Sequence, residues 1–317
     1  MEVLYFIVQQ TMFFAIPLLI VALGGMFSER SGIINIALEG IMVIGGFASI
    51  TFINLFQNRL SGQILLLLAV LIAGISGGLF SILHAFASVN LKADQTISGT
   101  ALNMFAPAFA VFAARMAQGV QQIQFVDTFH IAKVPVLGDI PVLGPILFQN
   151  CYITTYLGFL IVIITGIVIN RTRFGLRLRS CGEFPQAADS VGINVARIRY
   201  AGVIISGVLA GIGGLVFIVP TSTNFNATVA GYGFLALAVL IFGQWRTKKI
   251  FFAAFFFGVM KTFASAYSAI PFLKGLSVSN EIYKMIPYIA TLIILAFSSK
   301  NSQAPRAEGI PYDKGSR

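Results

Sequence analysis

Charge is scarce in this chain: only 10% of its 317 residues are charged, 57% are hydrophobic, and the mean hydropathy is +0.88. A soluble domain of this length needs far more polar surface, so the shortage excludes an ordinary globular protein. Cysteine and histidine are rare as well, at two residues each. Cys151 and Cys181 cannot build a disulfide framework, and His84 and His130 are too far apart in sequence to suggest a metal pair. The dipeptide Gly-Lys never occurs, which removes the G-x-x-x-x-G-K-[ST] loop that binds ATP. H-E-x-x-H is missing too, as is the dense set of intramembrane carboxylates that proton relays use. A membrane-embedded enzyme therefore has no catalytic constellation here, and no cofactor or metal is expected in this chain. Driven transport would need an ion gradient or a partner.

What fills the chain is long apolar runs of about 20 residues, the length a helix needs to cross ~30 Å of hydrocarbon. Barrel strands would alternate instead. The expected class is an all-α, polytopic membrane protein with about 8–10 transmembrane helices. Candidate spans lie near 5–27, 33–56, 64–89, 95–117, 151–169, 200–220, 231–245, 250–270 and 282–298. The seventh is short and opens with "GYG", as a broken or re-entrant element would. Pro17 sits within the first, whose "MEVLYFIVQQTMFF" start has no Lys or Arg and so reads as a retained span, not a secretory signal. Residues 1–298 form the transmembrane domain, with a large loop at 170–199, and 299–317 form a C-terminal tail.

Six arginines in "RTRFGLRLRSCGEFPQAADSVGINVARIR" (171–199) give the strongest positive-inside signal. Placing that loop in the cytoplasm puts fifteen Lys and Arg inside: Arg30, Lys92, these six, three in "WRTKK" and four in the tail. Five fall outside (Arg59, Arg115, Lys133, Lys274, Lys284), and Lys261 lies within a span. The topology is then N-terminus out and C-terminus in. It explains the net charge of +10 through anionic membrane lipid, with no nucleic-acid partner.

Glycine is frequent, and Gly74/Gly78 and Gly207/Gly211 have the four-residue spacing of close helix contacts. The stretches "LIAGISGGLF" and "VLAGIGGLVF" resemble each other and run in opposite directions in this topology, as inverted repeats do. Within the large loop, "CGEFPQAADSVGIN" predicts a short helix: Pro185 suits its first turn and Gly192 the left-handed position after it. Such a helix either docks on a motor subunit or rests at the membrane surface.

Polar residues inside the spans are the candidate pathway or gate groups. Asn35 and Glu39, spaced i, i+4, predict one helical face turned into the bundle. They could line a gate, fix packing by pairing with a group such as Lys261, or face a cytoplasmic vestibule. Ser98, Thr100 and Asn103 form a second polar stripe, and Asn224 and Asn226 lie at the outer end of the sixth span.

The blocks "ERSGIINIALEGIMVIGGF" (29–47), "LKADQTISGTALNM" (91–104), "FGLRLRSCGEFPQAADSVGINVARIRYAGVIISGVLAGIGG" (174–214), "GYGFLALAVLIFGQW" (231–245), "MIPYIATLIILA" (285–296) and the tail "APRAEGIPYDKGSR" (304–317), in that order, resemble the permeases of bacterial ABC importers of the ribose, simple-sugar and branched-chain amino acid type. They are most similar to the guanosine-type nucleoside branch, which works with a basic-membrane-protein lipoprotein. The resemblance implies a plasma-membrane subunit that pairs with a second permease. It also implies an ATPase with two nucleotide-binding halves, where ATP and Mg are used, and an external binding lipoprotein delivering nucleoside. It assigns ATPase coupling to Glu183, Phe184, Pro185, Gln186, Ala187, Asp189, Ser190 and Gly192. A sugar or branched-chain amino acid substrate, and a gradient-driven carrier, are the alternatives.

Overall fold

The structure, a computed structural model, describes residues 2–60, 62–126, 129–266 and 303–314, with single positions between 282 and 292. The chain forms α1 (Glu2–Arg30), α2 (Leu38–Phe56), α3 (Gly62–Val89) and α4 (Gln95–Gln118), then α5 (Ile153–Arg171). The large loop holds α6 (Arg173–Glu183) and α7 (Pro185–Ser190), followed by α8 (Val195–Thr221), α9 (Tyr232–Phe242) and α10 (Thr247–Ala266). Among the described residues, helices α1 to α5 and α8 are the six that are long and apolar enough to cross a membrane. The seventh window becomes α9, with 11 residues and about 16 Å of length, enough for half the hydrocarbon. The eighth becomes α10; the ninth, 282–298, lies largely outside the described residues.

Helix α1 is central. Every residue from Leu18 to Leu23 is inaccessible, and the helix packs on α5, α8, α9 and α10. A helix apolar all round fits only such a position, and Pro17 does not end it. Helix α4 is the opposite case, exposing Met104, Phe105, Phe112 and Met116.

Small residues set the closest contacts. A Cβ added at Gly77 would lie 2.8 Å from Gly211 Cα, and one at Gly45 would lie 2.6 Å from Gly211 O. Three helices (α2, α3 and α8) therefore meet at Gly211, where van der Waals packing replaces the hydrophobic drive that lipid cannot supply. The pentapeptide "GISGG" at 74–78 also fits G-x-S-x-G, the pattern of a hydrolase nucleophile turn. It lies inside unbroken helix, and Ser76 Oγ donates to Ile72 O at 2.8 Å, so it is packing and not a nucleophile elbow.

Two short antiparallel pairs close one face: β1 (Ile123–Gln124), β2 (Ile131–Lys133), β3 (Gln149–Cys151) and β4 (Asn224–Phe225). Strand β1 pairs with β4 through Ile123↔Phe225, and β2 with β3 through Ile131↔Cys151. The opposite face, carrying the arginine-rich loop, is the basic face. Both cysteines are buried and free, Cys151 in β3 and Cys181 in α6 on the basic face.

Candidate functional site

The expected face shared by Asn35 and Glu39 does not exist. Helix α1 stops at Arg30, Gly32 turns at φ +95°, and helix resumes only at Leu38, so Asn35 lies in non-helical backbone. Irregular backbone survives inside a membrane protein only where other groups satisfy it, since an unpaired amide there costs several kcal/mol. The partners come from α1, α3 and α4. Ser28 Oγ donates to Ile33 O at 2.7 Å, and Gln95 Oε1 accepts from Ile34 N at 2.7 Å. His84 Nε2 lies 2.8 Å from Ile34 O. A carbonyl can only accept, so Nε2 carries a proton, and Nδ1 lies 2.9 Å from Ser98 Oγ, which also donates to Gln95 O at 3.3 Å. Asn103 spans the restart of helix: Nδ2 donates to Ile36 O at 2.8 Å, and Oδ1 accepts from Gly40 N at 2.7 Å. It thus caps α2 from outside, in place of Ala37, which has no side-chain acceptor. Asn35 is fully buried; its Nδ2 donates to Ser206 Oγ on α8 at 2.8 Å, while its Oδ1 has no partner among the described residues.

Glu39 serves a second interrupted element. Its carboxylate accepts from Gly231 N at 2.9 Å and Gly233 N at 2.6 Å, at the start of α9. A negative group there complements the free amides and the positive end of the helix dipole. The approach requires glycine, because a Cβ on Gly233 would lie 2.8 Å from Glu39 Oε2. Beside it, the Tyr232 ring packs on Phe217 at 4.0 Å between centroids, and Lys261 Nζ lies 5.6 Å from the Tyr232 centroid. The structure therefore sets Lys261 over an aromatic ring and Glu39 on backbone amides. Ser98, Asn103, Asn35 and Glu39 join the break at 31–37 to the half-helix α9, through α2. Thr100 is exposed, outside this set.

On the basic face, Thr172 Oγ1 accepts from Gly175 N at 3.1 Å and turns the chain from α5 into α6. Pro185 occupies the first turn of α7, and Gly192 follows it at φ +83°. Pro185 and Ala188 face inward, with Ala188 in a cluster with Cys181 and Val195. Burial raises the Cys181 thiol pKa, against the lowering influence of Arg199 and of Ser180. Phe184, Gln186, Ala187, Ser190 and Gly192 are exposed. Glu183 is 3.6 Å from Arg30, and Asp189 is 3.7 Å from Lys314.

Sequence reasoning missed the strap formed by residues 303–314. Ala307 N donates to Gly182 O at 2.8 Å, Gly309 N to Gly32 O at 3.2 Å, and Lys92 pairs with Asp313 at 2.8 Å. Arg199 was one more arginine in a basic loop; it is 1% exposed, and its Nη1 donates to Ile310 O at 3.1 Å. Burial raises the Glu308 pKa, opposed by its hydrogen bond to Glu29 and by Arg30. Trp245 Nε1 donates to Glu29 Oε2 at 2.5 Å, and Arg30 Nη2 to Trp245 O at 2.9 Å. The strap carries no apolar period, so nothing in its sequence announced these contacts.

Long apolar helices packed around two interrupted elements, with a helical loop on the basic face, define a polytopic helical permease. Residues 7–295 match the family described as "Branched-chain amino acid transport system / permease component", and the chain belongs to that family. It is 43% identical to the guanosine ABC transporter permease protein NupQ of Bacillus subtilis, over 100% of this chain and 99% of that one. It is 42% identical to the nucleoside ABC transporter permease protein NupC of Lactococcus lactis, over 98% of each. A second Lactococcus lactis protein, the nucleoside ABC transporter permease protein NupB, is 23% identical over 95% of this chain and 84% of its own length. No solved structure matches the chain.

Proposed function

We propose that this chain is the permease subunit of an ATP-driven importer of nucleosides. The observation that carries the reading is the 42–43% identity, over essentially the whole chain, to proteins named for guanosine and nucleoside transport. In this reading the basic face is cytoplasmic, with the N-terminus outside and the C-terminus inside. A second permease completes the pore, a separate ATPase with two nucleotide-binding halves uses ATP and Mg, and an external lipoprotein delivers substrate.

The exposed face of α7, with Phe184, Gln186, Ala187, Ser190 and Gly192, is the surface on which the motor acts. Pro185 starts that helix, while Glu183 and Asp189 tie it to Arg30 and to the strap. Motor closure displaces α7. The strap passes that displacement to Gly32, where the break between α1 and α2 begins. Asn35, Glu39, Ser98 and Asn103 hold that break and α9 in one arrangement, and Lys261 flanks it through Tyr232. Changing their partners re-orients the inner half of the pathway, in an alternating-access cycle.

Vesicles reconstituted with this chain and its partner subunits test the reading. Labelled guanosine should enter only with ATP and a working ATPase, and other nucleosides should compete while simple sugars and branched-chain amino acids should not. Uptake by this chain alone, without ATP, would mean a gradient-driven carrier and end the proposal. Competition by sugar alone would reassign the substrate.

A further inference from the structure

A cavity of about 1330 Å³ opens on the basic face between α5 and α10. It has two kinds of wall. Its rim carries seven Lys and Arg side chains and one carboxylate, Glu183. Six of those cations (Arg171, Arg179, Arg246, Lys248, Lys249 and Arg306) have no acidic partner within ion-pair distance among the described residues. Glu183 is already matched with Arg30. The deeper wall is apolar, built from Val162, Ile163 and Ile167 of α5 and Phe251 and Phe252 of α10. From Arg171 to Val162, α5 rises about 13 Å into the bilayer. Ile163, Ile167 and Phe252 are 60%, 53% and 70% exposed along it.

We propose that this cavity binds an anionic phospholipid: its phosphodiester headgroup on the Arg171–Lys248–Lys249 rim, and the upper part of an acyl chain against α5 and α10. Six unmatched cations at a membrane surface call for an anion. A soluble phosphate would leave the apolar wall uncovered. An acidic protein surface docked from the aqueous side would not reach 13 Å into hydrocarbon. The volume exceeds what a small solute fills and suits a headgroup with its first methylenes. The occupied site would pin the end of α5, where the loop toward α7 begins, so membrane composition would bear on the face where the motor acts.

The sole tryptophan of the chain, Trp245, lines the cavity and supplies the reporter. The full chain is placed in phosphatidylcholine vesicles containing increasing mole fractions of dibrominated phosphatidylglycerol or, in a parallel series, of dibrominated phosphatidylcholine. Brominated phosphatidylglycerol should quench Trp245 at about fivefold lower mole fraction, the preference expected of even one engaged basic contact. Arg171→Gln, Lys248→Gln and Lys249→Gln together should abolish the difference. Equal quenching by the two lipids overturns the proposal, and so does a preference that survives the triple variant. Loss of the preference on adding soluble glycerol phosphate would identify a free-anion site instead and overturn the lipid assignment. In the assembled transporter, photoactivatable phosphatidylglycerol should cross-link to peptides of α5 and α10. Cross-links confined to other subunits would show that a protein fills the cavity, and would overturn it as well.

Discussion

Asn103 and Glu39 do for the backbone what regular helix does elsewhere. Each supplies two hydrogen bonds to chain segments distant in sequence, Asn103 to Ile36 O and Gly40 N, Glu39 to the amides of Gly231 and Gly233. Removing one leaves two backbone groups unsatisfied in a nearly water-free setting. Asn103→Ala and Glu39→Ala are each expected to cost about 3 kcal/mol, since every orphaned group costs roughly 1–3. Thermal unfolding in detergent, followed by fluorescence-detected size exclusion, should register both losses. Glu39→Gln keeps an acceptor and should recover part of its loss. Equal stability of the alanine variants and the parent chain would remove these residues from the clamp. Their chemistry was legible in the sequence, because an amide and a carboxylate within an apolar run demand partners. Their geometry was not. A window of apolar residues from 33 looks helical by composition, and the side chains that permit a break there come from positions 84, 95 and 103.

At the scale of elements, legibility followed periodicity and length. Eight of the nine windows became helices, and "GYG" marked α9 as the interrupted one. The α7 helix could be read from Pro185 and Gly192 because breakers act locally. Its partners could not, because the strap contacts it through backbone groups and isolated charges. That distinction changes which variant tests the motor surface. Glu183 and Asp189 already hold partners inside the chain, so reversing either charge disturbs the loop itself. Phe184 is 61% exposed and bridges α6 and α7. Phe184→Asp should leave the chain folded, with Cys181 still protected from maleimide in its buried cluster, and lower ATP-coupled guanosine uptake at least tenfold. A tenfold loss corresponds to about 1.4 kcal/mol of interface free energy, the scale of one aromatic anchor. Unchanged uptake would move the docking surface off α7.

At the scale of the whole molecule, the strap touches every moving part proposed for the basic face. It binds the end of α6 through Gly182, the α1–α2 break through Gly32, α8 through Arg199, and the turn after α3 through Lys92. Its hold on Arg199 carries the largest energetic consequence. The guanidinium is buried, and its Nε and Nη2 have no partner among the described residues, while Ile310 O accepts from Nη1. Deleting 303–317 removes that acceptor and leaves a buried cation uncompensated, which should destabilise the chain by about 3–5 kcal/mol. An apolar residue of similar length needs no acceptor. In an Arg199→Met background the same deletion should therefore cost much less, and a double-mutant cycle on unfolding temperature isolates the difference. The rescued double variant then separates stability from transmission. If the strap carries displacement from α7 to Gly32, the rescued chain should assemble and support ATP hydrolysis while guanosine uptake per ATP falls. If uptake per ATP stays at the parent value, the strap serves stability alone, and the break must receive its signal through the direct packing of α6 on α1.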